Sequence, residues 1–208
     1  MSQSVNNRTS ESGPIESGPV VNAGVQEQAN AGLQEQAVLS GGCFWCTESV
    51  IQSLQGVLHV EPGYTGGHVD NPSYEAVCEK NTGHIEVVRV TFDPAVITYE
   101  TILRVFFATH DPTTPDQQGN DIGPQYASAI FWQSEDQRQV AEQVMAEVQQ
   151  QLGLPVVTRL LPAAHFWVAE AYHHNYYARN PYQGYCQFVI APKLAKLRKY
   201  YADLLRSL

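Results

Sequence analysis

The sequence predicts an α/β or α+β domain in which helices cover a sheet. Strand-like and helix-like patterns alternate along the chain from residue 37 onward. Hydrophobic residues make up 43% of the 208 residues, a proportion that is ordinary for a folded protein. A chain of this length has room for one domain with a sizeable core. These observations do not decide between the two fold classes.

Residues 1–36 differ in composition from the rest of the chain. They contain no aromatic residue and are rich in Ser, Asn, Gln, Gly and Glu. They also repeat themselves, since "ESGPI" is followed by "ESGPV" and "NAGVQEQA" by "NAGLQEQA". Such a composition cannot bury enough apolar surface to offset the entropy that is lost on ordering. We therefore expect a disordered tail over 1–36 and a single folded domain over 37–208.

Four segments of the first half carry clear secondary-structure patterns. "AVLS" (37–40) predicts a short buried strand, which a pair of glycines breaks. "CFWCTESVIQSL" (43–54) has apolar residues near helical spacing and predicts a helix. "IEVVRVTF" (85–92) alternates as a strand does, and "TYETILRVFFATH" (98–110) predicts an amphipathic helix.

The second half predicts a long loop, two strands and two helices. The loop holds three prolines and two glycines, which argues against regular structure. Ser134 and Gln137 predict a capping box, and Gly153 predicts the end of the helix that follows it. In chain order, these segments are the loop 111–125, the strand 126–132, the helix 135–152, the strand 156–161 and a last helix after Pro192. An aromatic stretch over 166–185 has no regular pattern.

Charge and hydropathy exclude several classes of protein. The formal net charge of −9 argues against a nucleic-acid partner, which would require a basic surface. No apolar run approaches the length of about 18 residues that a membrane-spanning helix needs. The opening "MSQSVNNRTS" has neither the basic nor the apolar region of a signal peptide. We therefore expect a cytoplasmic protein that binds neither nucleic acid nor a membrane. We also expect a monomer.

Two cysteines, Cys43 and Cys46, flank a Phe and a Trp in "GGCFWC". Cys43 lies where the first predicted strand turns into the first predicted helix. We expect it in the first turn of that helix, where free N–H groups and the helix dipole lower a thiol pKa and create a nucleophile. Cys46 follows about one turn later, within reach of a disulfide if the turn distorts.

Other interpretations of this pair remain open from the residues alone. A thioredoxin-type oxidoreductase would use the C-x-x-C pair directly, although the bulky Phe44 and Trp45 suggest an apolar pocket for a small group. A zinc module would need a second cluster, whereas Cys78 and Cys186 are isolated. The pair could also be two inert cysteines in a core helix.

Glu86 is a candidate general acid. It has the same strand parity as Val88 and Val90, so we expect its side chain on the apolar face of the sheet. Burial there would raise the carboxyl pKa, which is what a general acid near neutral pH requires. The alternative is an edge strand with an exposed Glu86.

Two loops rich in Gly, Pro and Asn carry further candidates. "GYTGGHVDNPSY" holds Tyr74, and "QGNDIGPQY" holds Asp121 and Tyr126. Loops of this kind commonly present site residues on a rigid scaffold, although each tyrosine alone could be a packing residue. Cys186, in "NPYQGYC", lies in a stretch that we expect to be mobile, so that it could approach another cysteine.

Seven motifs occur in one order between about residue 38 and residue 186. They are "GGCFWCTE", "GYTGG", "NPSYEAVC", "TGHIE", "FFATHDPT", "QGNDIGPQY" and "NPYQGYC". This ordered set resembles the A-type peptide-methionine sulfoxide reductases. The resemblance implies an α+β fold, a ferredoxin-like two-layer roll in which helices cover a mixed sheet. It also implies reduction of the S epimer of methionine sulfoxide, free or in oxidised proteins, without metal or organic cofactor and with thioredoxin as external reductant.

The resemblance also assigns roles to residues. Cys43 matches the nucleophile of the family, which attacks the sulfoxide sulfur and becomes a sulfenic acid. Glu86 matches the acid that protonates the oxygen. Tyr74 and Tyr126 match the tyrosines that hydrogen-bond this oxygen.

The remaining matches concern the pocket and the resolving thiol. Phe44 and Trp45 match the wall that receives the methyl group of the substrate, and Asp121 matches an acidic residue that orders the site. Cys46 and Cys186 are both candidates for the thiol that resolves the sulfenic acid, alone or in a relay. Proximity favours Cys46, and the expected mobility favours Cys186.

Overall fold

A six-stranded mixed sheet organises residues 32–206, the part of the chain that this computed structural model describes. The strands and helices of these residues are, in chain order, β1 (Glu35–Gly41), α1 (Phe44–Ile51), β2 (Val57–Thr65), α2 (Tyr74–Cys78), β3 (Ile85–Phe92), α3 (Tyr99–Thr109), β4 (Gln117–Gln118), β5 (Asp121–Ile122), β6 (Ser128–Trp132), α4 (Glu135–Leu152), β7 (Arg159–Pro162), β8 (Trp167–Val168), α5 (Tyr176–Arg179) and α6 (Ala191–Tyr200).

The sheet has the strand order β7-β6-β1-β3-β2-β8. Strands β6 and β7 are parallel, and all other neighbours in this sheet are antiparallel. In the middle four strands, α1 connects β1 to β2 and α3 lies between β3 and β6. This β6-β1-β3-β2 arrangement is the order of a ferredoxin-like sheet. The α+β roll with a mixed sheet is therefore confirmed.

Both faces of the sheet are buried. On β3, Val88 and Val90 belong to the larger core, whereas Ile85 and Val87 belong to a smaller one on the opposite face. Helices complete the larger core with Ile51, Ile102, Phe106, Val144 and Leu194. Each fully buried side chain of this size stabilises the fold by about 1.5–3 kcal/mol. Burial on both faces explains why β3 contains both alternating and consecutive apolar residues.

Strand β2 is the main element that the sequence patterns do not predict. The predicted loop beginning at residue 63 is wrong at its start, because Gly63, Tyr64 and Thr65 are the last residues of β2. Pro62 and Gly63 interrupt the strand pattern, since proline lacks an N–H and glycine has no side chain to pack. Pairing with β3 along its length, and with β8 at Gly63 and Tyr64, maintains the strand.

The predicted loop 111–125 is more regular than its composition indicates. It contains β4 and β5, which pair with each other as a separate two-stranded sheet. A 3-10 turn over Pro124–Tyr126 then leads into β6. Helix α2 was also not predicted, and its N-terminus is capped by Ser73, whose Oγ accepts a hydrogen bond from the Ala76 amide at 3.2 Å.

The predicted capping box of α4 forms only in part. The Ser134 hydroxyl accepts a hydrogen bond from the Gln137 amide at 3.2 Å, and Gly153 ends the helix with φ of +64°. The Gln137 side chain does not return to Ser134, so this half of the prediction is wrong. Instead it accepts from the Gln133 amide at 3.1 Å and donates to the Gln36 carbonyl at 2.7 Å. The helix is thereby tied to β1.

The predicted domain boundary between residues 36 and 37 lies inside β1, which begins at Glu35. Most of the tail predicted over 1–36 lies outside the described residues, which begin at Gly32. Over 32–206, no helix is both long enough and apolar enough to cross a membrane.

Gly63 provides a test of the packing between β2 and β8. A Cβ at this position would lie 2.3 Å from a ring carbon of Phe166 and 2.5 Å from the Trp167 carbonyl oxygen. We expect Gly63→Ala to lower the free energy of unfolding by about 1–3 kcal/mol, as overpacking typically does. Gly184→Ala is the control, because nothing lies within 4 Å of that added Cβ. Urea unfolding followed by circular dichroism measures both, and equal stability of the two variants would contradict the packing.

Candidate active site

Cys43 lies at the junction between β1 and α1. Gly42, with φ of +94°, makes the turn that allows the chain to leave the strand and enter the helix. Cys43 is the N-cap of α1, one residue before the helical turn where we expected it. Its carbonyl accepts hydrogen bonds from the Cys46 amide at 3.1 Å and the Thr47 amide at 3.4 Å. This start of α1 places both thiols on the same side of the sheet.

The electrostatics of Cys43 differ from the prediction. The side chain is only 7% exposed, and burial raises the pKa of the Cys43 thiol well above its ordinary value. The neighbouring Cys46 and Glu86 raise this pKa further. The predicted lowering of the pKa by the helix N-terminus is therefore wrong. The physical reason is that the loss of water around the buried thiol outweighs the helix N-terminus, whose first amide, that of Phe44, donates to Glu86.

Glu86 lies under the start of α1. It shares a face of β3 with Val88 and is only 1% exposed. One carboxylate oxygen accepts the hydrogen bond from the Phe44 amide at 3.0 Å. Burial raises the pKa of Glu86 to about 8, because this single hydrogen bond does not offset the loss of water around the charge. At neutral pH the buried carboxyl therefore holds a proton.

Tyr74 and Tyr126 lie around the Glu86 carboxyl. Tyr74 is the first residue of α2, and Tyr126 ends the 3-10 turn before β6. Burial is the main cause that raises the pKa of both phenols, and Glu86 is the next cause for both. Cys43 also raises the pKa of Tyr126. The site therefore brings two protonated hydroxyl groups to the same side as the candidate nucleophile and acid.

An aromatic wall continues from the start of α1. Phe44 is almost fully buried, and its ring centroid lies 4.8 Å from that of His173. Trp45 is half-buried and stacks on Tyr176 with a centroid distance of 3.6 Å. The Trp45 indole N–H donates to His173 Nδ1 at 3.0 Å. The two aromatic residues between the cysteines thus form part of a packed apolar surface.

Asp121 lies on the side of the site that Cys46 occupies. Its carboxylate accepts a hydrogen bond from the Tyr185 hydroxyl at 2.6 Å. The same hydroxyl lies 3.5 Å from the Cys46 thiol. Asp121 therefore acts on the cysteine pair through a tyrosine hydroxyl, and its charge also raises the pKa of Glu86.

Cys186 does not lie in a mobile loop, so that prediction is wrong. It begins a π-helical turn, Cys186–Ile190, and is 0% exposed within the larger core. Burial raises the pKa of its thiol, and the charge of Cys46 raises it further. Gln183, whose side chain accepts from the Cys186 amide at 3.3 Å, helps to hold the turn. Cys78, by contrast, lies half-exposed at the end of α2.

Sequence reasoning did not identify His173, Glu170 and Tyr185 as members of this cluster. His173 is fully buried, and burial lowers its pKa to about 4, so that it is a neutral acceptor for Trp45. The Glu170 carboxylate accepts from the Tyr74 amide at 2.8 Å and holds the start of α2. The density of aromatic residues over 166–185 was the available signal, but it did not indicate which side chains turn inward.

A metal site is not among the features of this region. In residues 32–206, no group of three or more His, Cys, Asp or Glu side chains is arranged to hold a metal ion.

Comparisons with known proteins identify the family of this chain. The family described as peptide methionine sulfoxide reductase matches residues 35–205. The chain is 57% identical to a peptide methionine sulfoxide reductase MsrA of Thermus thermophilus over 173 residues, covering 83% of this chain and 98% of that protein. It is 51% identical to the MsrA of Deinococcus radiodurans over 199 residues, covering 92% of this chain and 97% of that protein.

A solved structure is similar to this chain as well. Methionine sulfoxide reductase A of Corynebacterium diphtheriae is similar with a TM-score of 0.69 and 31% identity, covering 72% of this chain and 76% of that one. The chain therefore belongs to the peptide methionine sulfoxide reductases, oxidoreductases that reduce methionine sulfoxide to methionine.

Proposed function

We propose that this enzyme reduces the S epimer of methionine sulfoxide, free and in oxidised proteins, with Cys43 as nucleophile and Glu86 as general acid. The observation that carries this assignment is the bond from the Phe44 amide to a buried Glu86 carboxyl whose pKa is about 8. This bond holds Glu86, which is protonated at neutral pH, next to Phe44, the residue that follows Cys43. Repair of oxidised proteins is the role that this activity serves.

The substrate binds with its sulfoxide oxygen and its methyl group in different surroundings. The methyl group packs against the uncharged aromatic wall of Phe44 and Trp45, of which Trp45 is the more exposed. The sulfoxide oxygen points toward Glu86 and accepts hydrogen bonds from the hydroxyls of Tyr74 and Tyr126. Because the sulfoxide sulfur is chiral, fixing both the oxygen and the methyl group selects one epimer.

The chemical step transfers the oxygen atom from substrate to enzyme. The Cys43 thiolate attacks the sulfur, and Glu86 gives its proton to the oxygen. The S–O bond of the substrate breaks as the oxygen becomes the hydroxyl of a Cys43 sulfenic acid, and methionine leaves with the electron pair on sulfur. Protonation of the oxygen makes the neighbouring sulfur more positive. This charge compensates for the burial that otherwise disfavours the Cys43 thiolate.

Cys46 resolves the sulfenic acid. Its amide already binds the Cys43 carbonyl at 3.1 Å, and it contributes to the local charge around Cys43. Cys186 is 0% exposed in its π-helical turn, whereas Cys46 lines an opening at the surface. These observations support direct resolution by Cys46. A dithiol protein of the thioredoxin type then reduces the Cys43–Cys46 disulfide by exchange, so that no metal or organic cofactor takes part.

Replacing Glu86 tests the acid. Glu86→Gln keeps the size of the side chain but removes the proton, so we expect reduction of an S-epimer peptide to fall by about 10²–10⁴-fold. The wild-type rate is expected to fall as pH rises through about 8, the pKa of Glu86, because the acid form is lost. The variant is expected to lack this alkaline limb. Single-turnover formation of methionine, measured against pH with each epimer, provides the data.

Glu75→Gln is the matched control, since it removes an exposed carboxylate next to Tyr74 and should keep wild-type activity. Wild-type rates in Glu86→Gln, or turnover of the R epimer by the wild type, would contradict the assignment.

Serine variants of the cysteines test the resolving step. Cys46→Ser should reduce one sulfoxide per enzyme and then stop, because the sulfenic acid has no adjacent thiol. Cys186→Ser and Cys78→Ser should still form the Cys43–Cys46 disulfide and keep thioredoxin-driven turnover. Mass spectrometry of the quenched enzyme identifies the disulfide, and a coupled assay measures turnover. A loss of turnover in Cys186→Ser would instead establish a relay through that residue.

A further inference from the structure

Cys46 faces a second opening that lies apart from the proposed sulfoxide pocket. This opening is a surface groove of about 240 Å³, which Cys46, Asp121, Tyr185, Phe188 and Lys193 help to line. Phe188 is 83% exposed at its edge, whereas Cys46 is only 4% exposed. None of Glu86, Tyr74 and Tyr126 lines the groove.

Lys193 and Cys46 also line a second space. This space is a small internal cavity of about 10 Å³ between α1, α3 and the start of α6. The Lys193 Nζ donates a hydrogen bond to the Thr109 carbonyl at 2.8 Å, at the C-terminal end of α3. The ammonium group is therefore held in place, and Lys193 lines both of the spaces that Cys46 lines.

The neighbouring Lys196 also joins α6 to the end of α3, but it does not line either space beside Cys46. Its Nζ donates to the Ala108 carbonyl at 2.6 Å, at the same end of α3. It lines neither the groove nor the small cavity beside Cys46. The two lysines thus share a helix and a type of hydrogen bond, but of the two only Lys193 lines the spaces that Cys46 also lines.

The charged and titratable groups around Cys46 come from several elements. They are Cys43 before α1, Glu86 on β3, His110 after α3, Asp121 on β5, Tyr185 and Cys186 around the π-helical turn, and Lys193 on α6. Burial lowers the pKa of His110 to about 4, so this histidine is neutral. Lys193 supplies the positive charge of this set.

We propose that Lys193 is a positioning residue of the resolving step, whose ammonium charge stabilises the Cys46 thiolate; the inference rests on the proposed role of Cys46. The thiolate attacks the sulfur of the Cys43 sulfenic acid, and the new S–S bond forms as the S–O bond breaks. Hydroxide leaves and takes a proton to become water. A hydrogen bond from Cys43, the charge of Lys193 and a hydrogen bond with Tyr185 lower the pKa of Cys46, against the opposing effects of burial and Asp121.

The thiolate of Cys46 can be measured without catalysis. The reduced full-length enzyme is treated with iodoacetamide over a range of pH, and alkylation of each cysteine is quantified by peptide mass spectrometry. Loss of the charge in Lys193→Met should move the Cys46 midpoint upward by about one pH unit, which is about tenfold less thiolate below the midpoint. Lys193→Gln should behave alike, Lys193→Arg should restore the wild-type midpoint, and Lys196→Met should not move it.

The catalytic consequence is smaller than the change in thiolate. A tenfold lower thiolate fraction is partly offset because a more basic thiolate is more nucleophilic, with a Brønsted coefficient of about 0.4–0.5. Disulfide formation after one equivalent of methionine sulfoxide should therefore slow by about threefold in Lys193→Met. Formation of methionine should not slow, because Lys193 does not line the sulfoxide pocket and a less ionised Cys46 raises the pKa of Cys43 less.

Two outcomes would overturn the proposal. One is an unchanged Cys46 midpoint in both neutral variants, and the other is an equal shift in Lys196→Met, which would reveal only the anchoring of α6 to α3. Failure of the proposed resolving role of Cys46 is a separate outcome, which would appear as disulfide formation at the wild-type rate in Cys46→Ser. The alkylation midpoints would still show whether Lys193 stabilises the Cys46 thiolate.

Discussion

The hydrogen bond from the Phe44 amide to the Glu86 carboxyl is the contact on which the rest of the site depends. It joins the first N–H of α1 to a central strand of the sheet, and so sets the Cys43 N-cap beside the acid. Because Glu86 is buried against the main core, its pKa rises to about 8 and its proton is retained at neutral pH. In water the same carboxyl would ionise at its ordinary pKa and could not serve as an acid.

Two other carboxylates hold distant segments around this contact. Glu48, from α1, accepts hydrogen bonds from the amides of Asn175 at 2.7 Å and Tyr176 at 3.3 Å, which fixes the start of α5. Glu170 accepts from the Tyr74 amide and fixes the start of α2. Both bind backbone N–H groups that no strand or helix would satisfy. These contacts therefore hold the backbone at Tyr74 and at Tyr176, which stacks on Trp45.

Sequence patterns predicted the elements whose structure depends mainly on residues that are close in sequence. The strand predicted over 85–92 has those bounds, and the inward parity of Glu86 follows from alternation with its apolar neighbours. Strand β2 could not be predicted, because pairing on both sides maintains a segment with a weak pattern. The raised pKa of Cys43 and the burial of Cys186 depend on what covers each thiol, which is a tertiary property. For the same reason, the inward turn of His173 was not evident from its neighbours in sequence.

The proposed chemistry requires Glu86 to be a protonated acid in the resting enzyme. The most direct test is a ¹³C NMR titration of the Glu86 side-chain carboxyl in the wild-type protein, with Glu86→Gln used to assign the resonance. We predict a midpoint of about 8. A midpoint near 4.5, the ordinary value for a glutamate, would mean that the carboxyl is ionised at neutral pH and cannot supply the proton.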